Sequence, residues 1–480
     1  MQTVVRGLPS VYDIEHLTRL FFPGAAILPK RQQGKDAVIA HLGKKRMLAG
    51  ICLDGICNWE TAPLPTKESP EYALSALVYS LLCKVTGRRP PWGMLTGVRP
   101  VRIIHDGRAK GMTEEQIEQL FCGHYDVSKE KYALAKSIAD LQAPWMQAEE
   151  RDYSLYIGIP FCPSRCSYCS FVSRTIEKEK KLVQPYVDCL CKELEEIKRI
   201  AQQNRLNLKT IYIGGGTPTS LSAQQLRQLM GTVRELFDLS KIEEYTVEAG
   251  RPDCTDLEKL QVLKEYGATR ISINPQTLSD DVLQRIGRNH TAQDVIRCFE
   301  EARQVGHANI NMDLIAGLPG DTPEGFLQTL EKVIQLEPEN ITVHTLTLKR
   351  ASNLVIEQRQ EEYGDVAQMV ESCALLAEKG YNPYYLYRQK GTLQNLENTG
   401  WSKPGYEGLY NIYIMEEVHT ILSAGAGGST KMRQQKGNLI QRIFNYKYPK
   451  EYIDGFDTVL KRKEGVTEFY ASHVDSQTLG

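Results

Sequence analysis

From Ser154 onward the chain alternates between two hydrophobic periods. Short β-rich runs occupy residues 154–159, 210–213, 245–248, 270–274, 309–315 and 341–346. Between them, residues 178–203, 223–237, 257–266, 292–305 and 323–336 carry apolar positions at helical spacing. Strands separated by helices predict repeated βα units and a parallel sheet. In such sheets chemistry gathers at the carboxyl ends of the strands.

The first 148 residues follow a different pattern. Two apolar runs, 37–42 and 46–53, predict paired strands, and helices are predicted over 70–86, 113–121 and 129–141. Thr113-Glu-Glu-Gln116 has the spacing of a capped helix start. Between the first two helices, residues 90–102 combine turn formers with Trp92, Arg99 and Arg102, and read as a functional loop or an ordered connector. Beyond about residue 390 the alternation fades. A helix is predicted near 414–423, followed by the turn Gly425-Ala-Gly-Gly428, and the tail reads as a small α-rich cap. The expected organisation is an accessory domain over 1–148, a central domain over 149–389 and a C-terminal cap over 390–480.

Composition narrows the function. Over 480 residues, 58 Lys plus Arg balance 59 Asp plus Glu. No global basic field argues for nucleic acid, and none is expected as a partner. The most apolar window, residues 73–83, is too short to span a bilayer, and residues 1–10 lack the pattern of a signal peptide. A soluble, cytoplasmic protein without a membrane span is expected. Of 12 cysteines, nine are scattered and are expected to be buried free thiols. Core packing is preferred over metal ligation for Cys52 and Cys57.

The other three sit together. Tyr156-Ile-Gly-Ile-Pro-Phe-Cys162-Pro-Ser-Arg-Cys166-Ser-Tyr168-Cys169 holds Cys162, Cys166 and Cys169 in a C-x3-C-x2-C spacing, directly after the first predicted strand. Three thiolates can grip three irons of a cubane cluster and leave the fourth open to a ligand. Structural zinc and electron-transfer clusters take four ligands, and none of Pro163, Ser164, Arg165, Ser167 or Ser170 is a usual fourth; a remote cysteine could complete either site.

Further polar groups fall at strand ends. Ile213-Gly214-Gly215-Gly216-Thr217-Pro218 would let backbone approach a ligand closely, or make a tight strand-to-helix turn. Glu248, Gln276, Arg288 and Asp313 end or follow the third, fourth and fifth runs. Singly each reads as a cap or a surface residue; together they predict a polar cofactor pocket across a barrel mouth. The segment from Asn382 to Lys390 mixes tyrosines with Arg388, and fits either a flat anionic ligand or a strand with buried tyrosines. Lys349-Arg350 is open in the same way.

The cysteine loop, with an aromatic residue before its last cysteine, resembles the radical S-adenosylmethionine enzymes. Tyr156 to Cys162, Gly214-Gly-Gly-Thr-Pro-Thr219, Arg288-Asn-His290 and Asn311-Met-Asp-Leu-Ile-Ala-Gly-Leu-Pro-Gly320 are similar to the oxygen-independent coproporphyrinogen III dehydrogenase family. Trp92-Gly-Met-Leu-Thr-Gly-Val-Arg-Pro100 resembles its HemZ branch. The core resemblance covers roughly residues 150–430. It implies a partial (β/α)6 TIM-like barrel within an α/β fold, an α+β N-terminal domain and a small α-rich C-terminal cap. It implies a [4Fe-4S] cluster on Cys162, Cys166 and Cys169, and S-adenosyl-L-methionine held by Tyr156, Gly215, Gly216, Thr217, Glu248, Gln276, Arg288 and Asp313. It implies a tetrapyrrole substrate and a low-potential electron donor such as ferredoxin or flavodoxin. The implied reaction is oxidative decarboxylation of coproporphyrinogen III to protoporphyrinogen IX by a 5′-deoxyadenosyl radical. A heme-binding chaperone, or a radical enzyme acting on heme or another tetrapyrrole, stands as the alternative. Three departures from the family pattern are Phe171 in place of a further cysteine, Asn274-Pro275-Gln276 in place of Gly-Val-Gln, and Leu409-Tyr-Asn-Ile-Tyr-Ile-Met415 without the His and Trp of the heme-chaperone motif.

Overall fold

A computed structural model describes residues 1–32, 34–169, 173–349, 352–356, 363–436 and 439–475. Phe171 and Arg350 lie outside the described residues. The chain divides into two compact units, one of Met1–Ser137 with Arg388–Leu396, the other of Ile138–Tyr387 with Glu397–Gly480.

The first unit is built on a five-stranded sheet of β1 (Gln2–Arg6), β2 (Ala26–Ile27), β3 (Ala37–Leu42), β4 (Arg46–Leu53) and β5 (Ile56–Pro63), ordered β2-β1-β3-β4-β5. Helices Tyr12–Phe21 and Pro70–Thr86 pack on it around Ile14, Leu17, Val38, Ile51, Leu74 and Val78. The expected β3–β4 pair forms, antiparallel. The expected cap forms too: Thr113 and Gln116 make a reciprocal capping box. One expectation fails. Cys52 and Cys57 are not free thiols but a disulfide. Asp54 and Gly55, both at positive φ, make a two-residue turn that sets these cysteines opposite each other, Cα atoms 4.0 Å apart. In the stretch after Pro90, Trp92 is buried, with the Arg388 guanidinium 5.3 Å from its ring. Arg388 donates to the Leu95 carbonyl.

The second unit holds an eleven-stranded sheet. Its strands are β6 (Asp152–Ile159), β9 (Asn207–Gly215), β10 (Glu244–Glu248), β11 (Arg270–Ser272), β12 (Ile310–Ala316), β13 (Asn340–Thr345), β14 (Asn382–Arg388), β15 (Glu397–Ser402), β16 (Thr420–Ala424), β17 (Ser429–Arg433) and β18 (Ile440–Phe444). A short parallel pair, β7 (Phe161–Cys162) and β8 (Arg174–Thr175), stands apart. The sheet order is β14-β15-β13-β12-β11-β10-β9-β6-β16-β17-β18. All six predicted strands pair in parallel in chain order, from β6 to β13. The pairing order is linear, so among the described residues the sheet is open rather than a closed barrel. Helices cover it, which is why Ile157, Ile213, Val247, Ile271 and Met312 are all fully buried. Each contributes about 1.5–3 kcal/mol relative to exposure. Among the described residues no helix is long and apolar enough to cross a membrane.

The C-terminal region differs from the expected helical cap. Helices Leu409–Met415 and Phe456–His473 are present, but β15, β16, β17 and β18 also extend the main sheet. The helix expected at 414–423 ends at Met415, and residues 420–424 form β16, parallel to β6. A short run buried on both faces shows no alternation that separates strand from helix. Tyr384 and Tyr385 of β14 are buried, as one reading of that segment required.

Candidate active site

The cysteine loop leaves the carboxyl end of β6. It is anchored where β9 ends: Gly216 N–H donates to Ile159 O (2.7 Å) and Thr217 N–H to Phe161 O (2.8 Å). It is tied on its far side by Ser167 N–H to Ile286 O (3.0 Å) and Leu354 N–H to Ser167 O (3.1 Å). Cys166 is buried; Cys162 and Cys169 are half-buried. A Cβ on Gly216 would lie 2.5 Å from Phe161 O and 3.0 Å from Cys162 Sγ, so only glycine allows this approach. Thr217 Oγ1 donates to Cys162 Sγ at 3.6 Å, and Arg251 Nη1 to Cys166 Sγ at 3.4 Å. Burial pushes the Cys162 thiol up, opposed by the hydroxyls of Ser173 and Thr217. Among the described residues no three His, Cys, Asp or Glu side chains converge on one metal ion. Cys162 and Cys166 each already accept a hydrogen bond at sulfur, the kind of outer contact that tunes metal-bound thiolates.

Beside the loop the glycines of β9 meet Glu248. A Cβ on Gly214 would stand 2.8 Å from Glu248 Oε1, and one on Gly215 3.3 Å from the Tyr156 hydroxyl. Tyr212 donates to Glu248 Oε1 at 2.6 Å. Tyr212 stacks on Tyr410 with ring centres 4.5 Å apart, and Tyr156 lies parallel to both. Loss of solvation, with Asp313 nearby, pushes the Glu248 carboxyl up to about 7, against the hydrogen bonds from Tyr212 and the Gly215 N–H.

The remaining strand ends complete an arc. Burial acts to raise Asp313, but His344 at 3.7 Å and the Asn311 amide at 2.7 Å outweigh it and hold the carboxyl below its ordinary value. His344 Nδ1 in turn meets the Tyr387 hydroxyl at 3.2 Å. Gln276 sits at φ 67°, and its N–H donates to Asp313 O at 2.9 Å. Arg288 is buried; it donates to Asn274 O at 2.9 Å and to the Tyr168 hydroxyl at 3.2 Å, joining the cysteine loop to the strand ends. Its Nε has no partner among the described residues.

The predicted residues therefore fall into linked groups. Cys162, Gly216 and Thr217 touch, as do Tyr156, Gly215 and Glu248. Gln276 joins Asp313 through backbone, and Arg288 reaches the loop through Tyr168. Sequence reasoning missed Tyr212 and His344. Strand alternation could have found Tyr212, because it shares a face of β9 with Gly214. Nothing local marks His344.

Residues 156–333 match the model of the Radical SAM superfamily. The chain is 41% identical over 392 residues to the oxygen-independent coproporphyrinogen-III oxidase-like protein HemZ of Bacillus subtilis, covering 80% of this chain and 78% of that one. It is 37% identical over 285 residues to the heme chaperone HemW of the same organism, covering 57% and 70%. Among solved structures, coproporphyrinogen III oxidase (HemN) from Escherichia coli, a radical SAM enzyme, superposes with a TM-score of 0.52 at 25% identity, over 67% of this chain and 73% of that one. The chain belongs to the radical SAM superfamily, in its coproporphyrinogen oxidase-like family, whose cofactors are a [4Fe-4S] cluster and S-adenosylmethionine.

Proposed function

We propose that the chain catalyses oxygen-independent oxidative decarboxylation of coproporphyrinogen III to protoporphyrinogen IX in porphyrin biosynthesis. The observation that carries this reading is the likeness to the HemZ protein over most of both chains. In it, Cys162, Cys166 and Cys169 hold the cluster and leave one iron for the methionine end of S-adenosylmethionine. Bound together, the cluster and S-adenosylmethionine supply a radical able to abstract hydrogen once a low-potential donor of the ferredoxin or flavodoxin class has given an electron. The chain's own residues bind and orient. Gly215 and Gly216 offer a side-chain-free ledge beside Thr217, and Tyr156 and Tyr212 wall it. Glu248 and Asp313 accept from hydroxyl or ammonium groups, Gln276 adds an amide, and Arg288 offers a cation to a carboxylate. Each propionate that becomes vinyl would give one hydrogen atom to the 5′-deoxyadenosyl radical, release CO2 and pass one electron to a one-electron acceptor, and exclusion of water would protect the radical stage.

The Glu248 assignment carries a pH signature. An acid raised to about 7 is mostly neutral below that value and mostly ionised above it, and the carboxylate is the stronger acceptor for hydroxyl and ammonium donors. Affinity for S-adenosylmethionine should rise as pH climbs from about one unit below that value to one above. Glu248→Gln should flatten this dependence and weaken binding by about 1.5–3 kcal/mol, roughly 10–100-fold. Calorimetric titration of the cluster-loaded protein reads both; a variant with wild-type affinity and slope removes Glu248 from the site.

The deciding experiment is anaerobic: reconstituted protein, reductant, S-adenosylmethionine and coproporphyrinogen III, with products read by mass spectrometry. Two successive losses of CO2 plus two hydrogens, alongside 5′-deoxyadenosine, are expected. A heme-carrying role is the second reading, favoured by the HemW relative. Tight heme binding with intact porphyrinogen would establish it in place of the first. Deoxyadenosine without porphyrinogen change, and a methylated or opened tetrapyrrole, would mark a different radical enzyme.

A further inference from the structure

One buried cation beside the cysteine loop has no part in the roles above. Arg251 follows β10 and is 4% exposed. Its Nε and Nη2 grip Asp253 at 2.8 and 2.6 Å, Nη2 also reaches Ser164 Oγ at 2.9 Å, and Nη1 donates to Cys166 Sγ at 3.4 Å. His290 backs Asp253 at 3.8 Å. A bidentate carboxylate pair already satisfies a buried guanidinium electrostatically. The fourth contact is therefore the informative one, since it directs an N–H at a sulfur.

We propose that Arg251 is a positioning residue that tunes the cluster through Cys166, making it easier to reduce. The inference rests on the reading that Cys166 ligates the cluster. Cys166 is the most buried of the three cysteines. The hydrogen bond to Cys162 comes from a neutral hydroxyl, whereas the donor at Cys166 is a group that stays charged at all working pH. Reduction adds one electron and no atoms, and the added negative charge is shared by the sulfurs. A fixed positive donor stabilises that reduced form over the oxidised one, because sulfur hydrogen bonds and local charge set cluster potentials. Asp253 and Ser164 hold the guanidinium in place.

The test uses the full chain, reconstituted anaerobically as wild type, Arg251→Met, Arg251→Lys and Ser164→Ala. Iron content is measured, and the midpoint potential is read by electron paramagnetic resonance during titration with dithionite. Arg251→Met should shift the midpoint negative and lose iron to a chelator roughly 10–100-fold faster. Arg251→Lys should shift it less, and Ser164→Ala, which frees one side of the guanidinium, should shift it in the same direction by a smaller amount. Wild-type midpoints in both Arg251 variants at full iron content would overturn the proposal. Should Arg251→Met hold no cluster, the Arg251→Lys midpoint decides by the same rule. A wild-type protein that assembles no cluster would instead overturn the cluster reading itself, a result distinct from an unshifted midpoint.

Discussion

Cys162→Ala, Cys166→Ala and Cys169→Ala should each emerge from anaerobic reconstitution with little iron and no cleavage of S-adenosylmethionine. Each thiolate in the proposed site serves a different iron, so none can cover for another. Replacement donors are poor. Ser164 Oγ is engaged with Gly287 O at 3.1 Å and with Arg251. Cys254 is close in sequence to Arg251, but burial pushes its thiol up to about 11, and its Sγ donates to the Arg251 carbonyl at 3.5 Å. The loss should exceed the 10–100-fold typical of removing an outer partner of a metal ligand. Iron and sulfide analysis and chromatographic assay of 5′-deoxyadenosine check it, with Cys189→Ala as the comparison. Cys189 lies on the helix Lys180–Gln203 and should leave both readouts unchanged. Wild-type iron in all three loop variants would end the assignment.

The contrast between those cysteines shows what the sequence could reveal. The C-x3-C-x2-C loop is a local pattern, legible without any fold, and so is a strand followed by glycines. The six parallel strands were legible because helices between them have a period of their own. Where that contrast is missing the reading fails. Thr420-Ile-Leu-Ser-Ala424 follows the helix Leu409–Met415 after four residues and is buried at every position, so no alternation marks it as a strand. The fourth strand was drawn to 274 but stops at Ser272. Pro275 has no N–H for a ladder, and Gln276 turns to positive φ. In the site, the glycines and Glu248 were visible as strand-end residues. Tyr212, His344 and the Arg251–Cys166 contact were not, because each depends on which strands lie side by side. Arg251 and Cys166 are 85 residues apart in the chain, and only the fold brings the guanidinium to the sulfur.

The same dependence on distant pairing predicts where the second unit is most fragile. Lys463→Met should destabilise it by about 3–5 kcal/mol, the cost of leaving a buried charge without its partner. Glu193, on the helix Lys180–Gln203, is 0% exposed, and Lys463, on Phe456–His473, is 1% exposed. Their charged ends lie 3.0 Å apart. Glu193 also accepts from Gly425 N–H and the Asn445 amide at 2.7 Å and from the Tyr452 hydroxyl at 2.6 Å. That network fixes the glycine turn after β16, where a Cβ on Gly425 would lie 2.5 Å from Gly158 O. Gly158 belongs to β6, one residue before the strand end from which the cysteine loop departs. Removing the ammonium group therefore strains the base of the loop as well as the packing of the two helices. Urea denaturation followed by circular dichroism, on protein kept anaerobic, should show the lowered midpoint. Glu193→Gln in the Lys463→Met background should recover part of the loss. The amide oxygen still accepts from Gly425 N–H, and no unpaired charge remains. A Lys463→Met protein within about 1 kcal/mol of wild type would show that water reaches Glu193 and that the pair is not buried in solution.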